Sequence, residues 1–299
     1  MSTLLNRFGD YLLDKALASE CKQAGLVRAT VQLSFGNVEY LLSGNKAEHL
    51  SEAIVMLHGA TADKTSWTRF ARYLGSKLPL VIPDLPGHGN STADINLNYS
   101  INAQAERLKE LLSTLAIKRV HLIGNSMGGT IATHLASTSP NLVASLVLID
   151  AAGFEASPSW LRRHVAQTGT NPMLELRNAS DYRTMMRIGM EAPPYIPGII
   201  LSALARVFVK RNALNQKIAK DIEQDIDQTG SLSTIVSPTL IIWGAADKIV
   251  HVDNAEFLHR RLPNSRKIVM EGIGHVPMVE DPKQVAGACR SFFADNAAQ

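Results

Sequence analysis

The chain is 299 residues long, 45% hydrophobic and 19% charged, with a formal net charge of +3. Such a chain can bury a full core, as one large domain or two smaller ones, and its mild charge, without clustered basic and aromatic residues, argues against a nucleic-acid partner. Its two cysteines, Cys21 and Cys289, are too few for a disulfide framework, and no Cys/His spacing suggests a metal site.

Residues 1–18 lack a basic segment followed by a long apolar core, so they do not read as a signal peptide. No stretch approaches the ~18 apolar residues of a membrane-spanning helix. A cytoplasmic location is expected, with peripheral membrane association through the N-terminal helix or the cap described below as the alternative. Leu4, Leu5, Phe8, Leu12 and Leu13 share one helical face within an N-terminal helical segment, residues 1–28. Packing on its own domain is the favoured reading of that face over an interfacial anchor. Two β-rich runs, 31–35 and 38–42 around Gly36-Asn37, then predict an antiparallel hairpin at one edge of a sheet. From there strands alternate with helices, the pattern of a mainly parallel sheet. Strands are predicted at 53–57, 80–83, 120–123, 238–244 and 266–270, with one more ending at Asp150; helices are predicted at 102–115, 126–137, 254–262 and 282–293.

The run 120–123 leads straight into Gly124-Asn125-Ser126-Met127-Gly128. A G-x-S-x-G between strand and helix predicts a nucleophile elbow, where glycines at 124, 128 and 129 leave room for a strained serine with its hydroxyl at the top of the sheet. Such a hydroxyl needs an imidazole to take its proton and a carboxylate to hold that imidazole in the right tautomer. Asp247 follows the strand 238–244 by three residues, and His275 lies on a glycine-flanked loop after 266–270. Serine, acid, base is the required order. Asp150, which also ends a strand, competes with Asp247 for the acid's role. Two backbone N–H groups should form an oxyanion hole: that of Met127, beside the serine, and that of Ala60, where Gly59 lets the chain bend after its strand. His58 and His88 are expected to be structural, bracing the loop 58–61 and the rigid turn 84–91.

Between Asp150 and Thr239 the sheet pattern stops for about ninety residues, against loops of about 2–6 residues in such folds. A helical cap is predicted over 153–235, with helices at 159–167, 181–190, 201–212 and 216–228. Residues 195–209 are unusually apolar, and Ile196, Ile200 and Leu204, with Met278, are candidates to line an acyl channel; the alternative is that this face simply packs on the body. Arg162, Arg163, Arg177, Arg183, Arg187, Arg206, Lys210 and Arg211 outnumber the acidic residues of the same span. A solvated helix face is favoured there over attraction to anionic lipid headgroups.

His58-Gly59 after a strand, Asp84-x-Pro86-Gly87-His88-Gly89, Gly124-x-Ser126-x-Gly128-Gly129, then Asp247 and Gly274-His275 occur in one order across nearly the whole chain. Together they resemble the alpha/beta-hydrolase superfamily. The stretches HGATADKTSW and GNSMGG, with DAAGF after the sixth strand, are most similar to the capped monoacylglycerol lipases and related bacterial lipases and esterases. The resemblance implies an α/β fold: a mostly parallel central sheet flanked by helices, a core of residues 29–152 and 236–299, and a helical cap inserted after the sixth strand. It implies Ser126, Asp247 and His275 as catalytic triad and the N–H groups of Ala60 and Met127 as oxyanion hole. Ala60 departs from the large apolar residue many lipase relatives carry, which affects the acyl pocket and not a hole built from backbone. The expected activity is cofactor-free serine hydrolysis of carboxylic esters, such as monoacylglycerols or other medium- and long-acyl esters. A carbon–carbon bond hydrolase of the meta-cleavage type, with the same triad and a cap, is the enzymatic alternative; a non-catalytic ligand-binding member of the fold is the other. Epoxide and haloalkane hydrolases of this fold normally carry an aspartate at the Ser126 position.

Overall fold

In a computed structural model that describes residues 2–43, 50–75 and 79–297, the chain forms an eight-stranded sheet of order β1-β2-β4-β3-β5-β6-β7-β8. The strands are β1 (Leu26–Leu33), β2 (Gly36–Ser43), β3 (Glu52–Leu57), β4 (Leu80–Pro83), β5 (Arg119–Asn125), β6 (Val143–Ile149), β7 (Thr239–Gly244) and β8 (Ser265–Met270). β2 runs antiparallel to β1 and β4, while the ladder from β4 through β3, β5, β6 and β7 to β8 is parallel. The helices are α1 (Ser2–Gln23), α2 (Thr68–Leu74), α3 (Ile101–Thr114), α4 (Met127–Thr138), α5 (Trp160–Thr168), α6 (Ala179–Gly189), α7 (Gly198–Lys210), α8 (Asn212–Ile222), α9 (Asp253–Arg261), α10 (Pro277–Glu280) and α11 (Pro282–Ala297).

The central strands bury both faces. In β3, Ala53, Val55 and Leu57 enter one apolar layer and Ile54 and Met56 the other; β7 repeats this with Ile241 and Trp243 against Leu240 and Ile242. Side chains alternate with a period of two, so an unbroken apolar run means a strand covered on both sides. Residues of α3, α4 and α9 belong to the first layer, those of α2 and α11 to the second. Each fully buried Leu, Ile or Val contributes about 1.5–3 kcal/mol by leaving water. The short α2 was not predicted; it buries Phe70, Ala71 and Leu74, too brief a stretch for helical periodicity to register.

The hairpin occupies the expected edge with a displaced turn. Leu33 pairs with Gly36, so Ser34 and Phe35 form the turn and Gly36 opens β2. The cause is tertiary: Gly36 has φ +136, a Cβ there would collide with the Thr92 side chain, and the Asn37 N–H donates to Thr92 Oγ1 at 2.8 Å.

The predicted apolar face of α1 divides. Leu13 is buried and Leu12 half-buried, whereas Leu4, Leu5, Phe8 and Tyr11 face outward. α1 packs on α7. Gly9 leaves no side chain where the Ile199 carbonyl approaches, 3.0 Å from a built Cβ, and Arg206 donates to the Asn6 side chain and carbonyl, both at 3.0 Å, and to Asp10. No helix among the described residues is long and apolar enough to cross a membrane.

Helices α5 to α8 fill the interval between β6 and β7. Their own apolar centre is small: Leu176, Met185 and Phe208, with Met173, Tyr182 and Val209 packed against it. Polar groups tie the insertion to the body. Asp225 accepts from the N–H groups of Ile101 and Asn102 at 2.8 and 2.9 Å, at the start of α3, where the helix dipole favours a carboxylate. Asp221 accepts from Tyr99 N–H at 2.9 Å, and Arg211 donates to the carbonyls of Gly87 and Gly89. Arg206, Arg211 and Arg162, which pairs with Glu155 at 2.7 Å, are thus committed to protein partners, which thins the basic face expected of the cap.

Candidate active site

β5 ends at Asn125 and α4 begins at Met127, leaving Ser126 between them with φ 54 and ψ −121. A non-glycine residue is strained in this region and persists there only when its surroundings over-determine it. A Cβ on Gly124 would run into the Gly128 carbonyl, one on Gly128 into the Leu57 carbonyl, and one on Gly129 would lie 2.6 Å from Ala151 Cβ. Side chains at these three positions would drive β5, α4, β3 and the loop after β6 apart. Ser126 N–H donates to Ile149 O at 3.1 Å, and its carbonyl accepts from Gly129 N–H at 2.9 Å. The serine hydroxyl makes no capping bond to α4, so the helix does not consume it.

His275 Nδ1 donates to Asp247 Oδ2 at 2.7 Å, with both side chains buried. Asp247 Oδ1 accepts from the N–H groups of Ile249 and Val250 at 2.7 and 3.0 Å. With Nδ1 carrying the proton, Nε2 of the neutral ring is left as an acceptor. The backbone around the ring is clamped as well. His275 N–H donates to Gly189 O at 2.8 Å, and Asn125 Nδ2 donates to the carbonyls of His275 and Ile149 at 3.0 and 3.1 Å, joining the serine's neighbour to the histidine loop. Glu280 was not singled out in the sequence. Its Oε1 accepts from Gly274 N–H at 2.9 Å, and its Oε2 from Glu191 and Ala192 N–H at 2.8 and 2.9 Å. A carboxylate five residues past His275, on a helix opened by Pro277, was the available signal. A Cβ on Gly274 would sit 2.9 Å from both Gly189 O and Glu191 N, so the end of α6 presses directly on the histidine loop.

The loop after β3 lies against the serine: a Cβ on Gly59 would be 3.2 Å from Ser126 Cβ and 3.7 Å from its Oγ. Both loop histidines act as braces. Leu85 N–H donates to His58 Nε2 at 3.0 Å, so Nδ1 carries the proton and donates to Gly59 O at 2.8 Å. His88 Nε2 donates to Ala60 O at 2.7 Å. Burial pushes His58 down to about 4 and His88 to about 3, so both stay neutral. Close by, the buried Lys64 ammonium pairs with Asp84, and with Glu39 at 2.8 Å. Met127 is the first residue of α4, where an N–H has no intrahelical carbonyl to meet and suits a developing anion.

Asp150 stands next to β6 with φ 45. One ligating atom from each of Asp150, Asp247 and His275 falls within 4.8 Å of the others, the one cluster with metal-ligand spacing among the described residues. His275 Nδ1 and both Asp247 oxygens are already engaged by protein hydrogen bonds, so the set reads as a hydrogen-bonded Asp247–His275 pair with Asp150 packed beside it. Of the residues expected to contact substrate, Ile196, Ile200 and Leu204 are half-buried in or just before α7. Met278 is fully buried in the layer with Phe70 and Phe292, which groups it with the core rather than with α7.

The model of the alpha/beta hydrolase fold family matches residues 52–282. Over 282 residues the chain is 32% identical to Lipase 1 of Psychrobacter immobilis, covering 93% of this chain and 87% of that protein. Over 272 residues it is 26% identical to monoacylglycerol lipase abhd6-A of Xenopus laevis, covering 87% and 81%. The crystal structure of a membrane phospholipase A, a bacterial virulence factor, superposes with a TM-score of 0.93 at 32% identity, over 100% of this chain and 95% of that one. Sheet order, serine elbow and family match agree, and the chain belongs to the alpha/beta-hydrolase fold family.

Proposed function

We propose that the protein is a serine hydrolase of carboxylic esters, acting on monoacylglycerols or other medium- and long-acyl esters, with residues 153–235 as the cap over the site. The observation that carries this reading is the strained Ser126 at the tip of β5, whose neighbour Asn125 is hydrogen-bonded to the backbone of His275 in its buried 2.7 Å pair with Asp247. Its similarity to Lipase 1 and to a monoacylglycerol lipase supports the ester as substrate. Ser126 Oγ attacks the acyl carbonyl carbon while His275 Nε2 takes its proton, and the N–H groups of Ala60 and Met127 hold the oxyanion. The tetrahedral intermediate collapses as His275 protonates the leaving alcohol. Water then attacks the acyl-enzyme, giving its proton to His275, and the acid leaves with Ser126 restored. Asp247 keeps the ring in the Nδ1–H tautomer and stabilises the imidazolium. Ile196, Ile200 and Leu204 receive the acyl chain, with Met278 backing the pocket. The outward Leu4, Leu5, Phe8 and Tyr11 of α1 give the protein a peripheral contact with lipid surfaces.

Purified protein and its Ser126→Ala variant, assayed on aryl esters and monoacylglycerols of increasing chain length, test the proposal. The expected outcome is hydrolysis by the parent and a loss of roughly 10⁴-fold or more in kcat for the variant, together with loss of fluorophosphonate labelling. A variant that folds and keeps more than a few per cent of the rate would remove Ser126 from the nucleophile's role.

A further inference from the structure

We propose that Asp150 is a protonated carboxylic acid that donates a hydrogen bond to Asp247 and thereby positions the carboxylate that holds His275. This makes it a positioning residue and not a spare triad acid. The inference rests on the triad reading above. Asp150 is fully buried. Its Oδ1 accepts from Gly244 N–H at 2.9 Å, whereas its Oδ2 is buried and meets no donor. The groups facing it come from three other elements: Asp247 after β7, His275 after β8, and Glu280 of α10. A carboxylate oxygen of Asp247 lies within 4.8 Å of one of Asp150. Two ionised carboxylates so close in a buried site would repel each other and leave Oδ2 without a partner, which strongly disfavours the charged form. A proton on Asp150 resolves both problems, because Oδ2–H then has Asp247 as its acceptor. Burial first, and then the neighbouring Asp247, push the Asp150 carboxyl well above the ordinary carboxylate range.

The consequence for the triad is geometric and electrostatic. Asp247 receives donors from His275, Ile249, Val250 and Asp150, leaving its plane little freedom to rotate away from the ring. The pair carries one negative charge in total, matched to the single positive charge that appears on His275 during each acyl transfer. The Asp150 proton is not transferred in the reaction.

Asp150→Asn and Asp150→Ala test this. The amide is a neutral donor of the same shape, and asparagine tolerates the left-handed backbone that Asp150 adopts; alanine offers no donor. The expected result is a loss of about 10- to 100-fold in kcat for Asp150→Ala with KM nearly unchanged, most of which Asp150→Asn recovers. Stability adds a readout independent of catalysis. With its folded-state pKa raised, Asp150 keeps a proton that the unfolded chain releases above pH ~4, so its contribution to parent stability is largest in acid and is lost as pH rises toward the folded-state value. The Asp150→Asn protein has no such proton, so its Tm should climb relative to the parent's between pH 5 and pH 9. A constant Tm difference over that range, or an Asp150→Asn rate as low as that of Asp150→Ala, would overturn the proposal. Should Asp150→Ala not fold, Asp150→Asn alone decides, since a rate near that of Asp247→Asn would make Asp150 a required carboxylate. Asp247→Asn separates the premises: if it retains the parent rate, the triad reading fails, whatever the Tm series gives.

Discussion

The rim of the sheet and the inserted helices are built on different principles. At the rim, the groups around Ser126, Asp247 and His275 are held mainly by backbone: Ser126 by Ile149 and Gly129, Asp247 by Ile249 and Val250, His275 by Gly189. In the insertion most of the ties to the body are side chains reaching across, Asp221, Asp225 and Arg211, beside the two backbone bonds that Leu161 N–H gives to Lys248 O and that Gly189 O takes from His275, and the apolar residues proposed to meet substrate are only half-buried. Geometry set by backbone tolerates few residue types, because a Cβ in the wrong place collides with a carbonyl. A pocket set by side-chain volume tolerates many. On the proposed function, the chemistry is fixed by the former and the choice of ester by the latter.

The division can be tested at the place where the two regions meet. Glu280→Ala removes the acceptor shared by Gly274, Glu191 and Ala192; the exposed N–H groups of Glu191 and Ala192 can turn to water, while that of Gly274 is buried and costs about 1–3 kcal/mol when left without a partner. The expected loss is about 30-fold in kcat, with KM for a butyrate ester nearly unchanged; a change confined to KM would mean that the carboxylate serves the cap alone. A smaller and more selective effect is expected inside the cap. Leu204→Trp should occupy space used by long acyl chains, and displacing two methylenes at about 0.8 kcal/mol each lowers kcat/KM for a long ester about tenfold while acetate is spared. Equal losses along the series would assign Leu204 to packing. The smallest effect belongs to the outer surface of α1. Phe8→Ser should reduce co-sedimentation with phospholipid vesicles about fivefold, given the gain from burying an exposed ring in an interface, and leave hydrolysis of a soluble ester untouched. Unchanged co-sedimentation would dissociate α1 from lipid.

What could be read in the sequence follows the same line. The places of Ser126, Asp247 and His275 just past strand ends were legible because glycines and strand ends leave a pattern along the chain, and the β3 loop was legible through His58-Gly59. The hairpin turn was misplaced because Thr92, far away in sequence, decides where Gly36 must sit. The apolar face of α1 was read as one surface because periodicity records spacing and not what lies opposite; α7 covers part of the helix and leaves Leu4 and Phe8 uncovered. Met278 stands next to the His275 loop in sequence, and its burial in a core layer leaves it only the backing place it has in the proposed pocket. The partners of Glu280 and the proton on Asp150 depend on groups brought together from separate parts of the chain; only the place of Glu280, five residues past His275 on a helix opened by Pro277, left a local trace.

The contact between Gly274 and the segment from Gly189 to Glu191 bears on how this protein can be re-engineered or can diverge. A cap transplanted from a relative would arrive with its own backbone at this seam, and a shift of a fraction of an ångström there would be handed on to the imidazole. Segments 189–192 and 274–280 therefore form a single unit of inheritance, to be exchanged together, whereas the half-buried positions of α7 can drift one at a time. On the proposed function, new ester preferences are cheapest to reach by changing side chains within a cap that stays where it is.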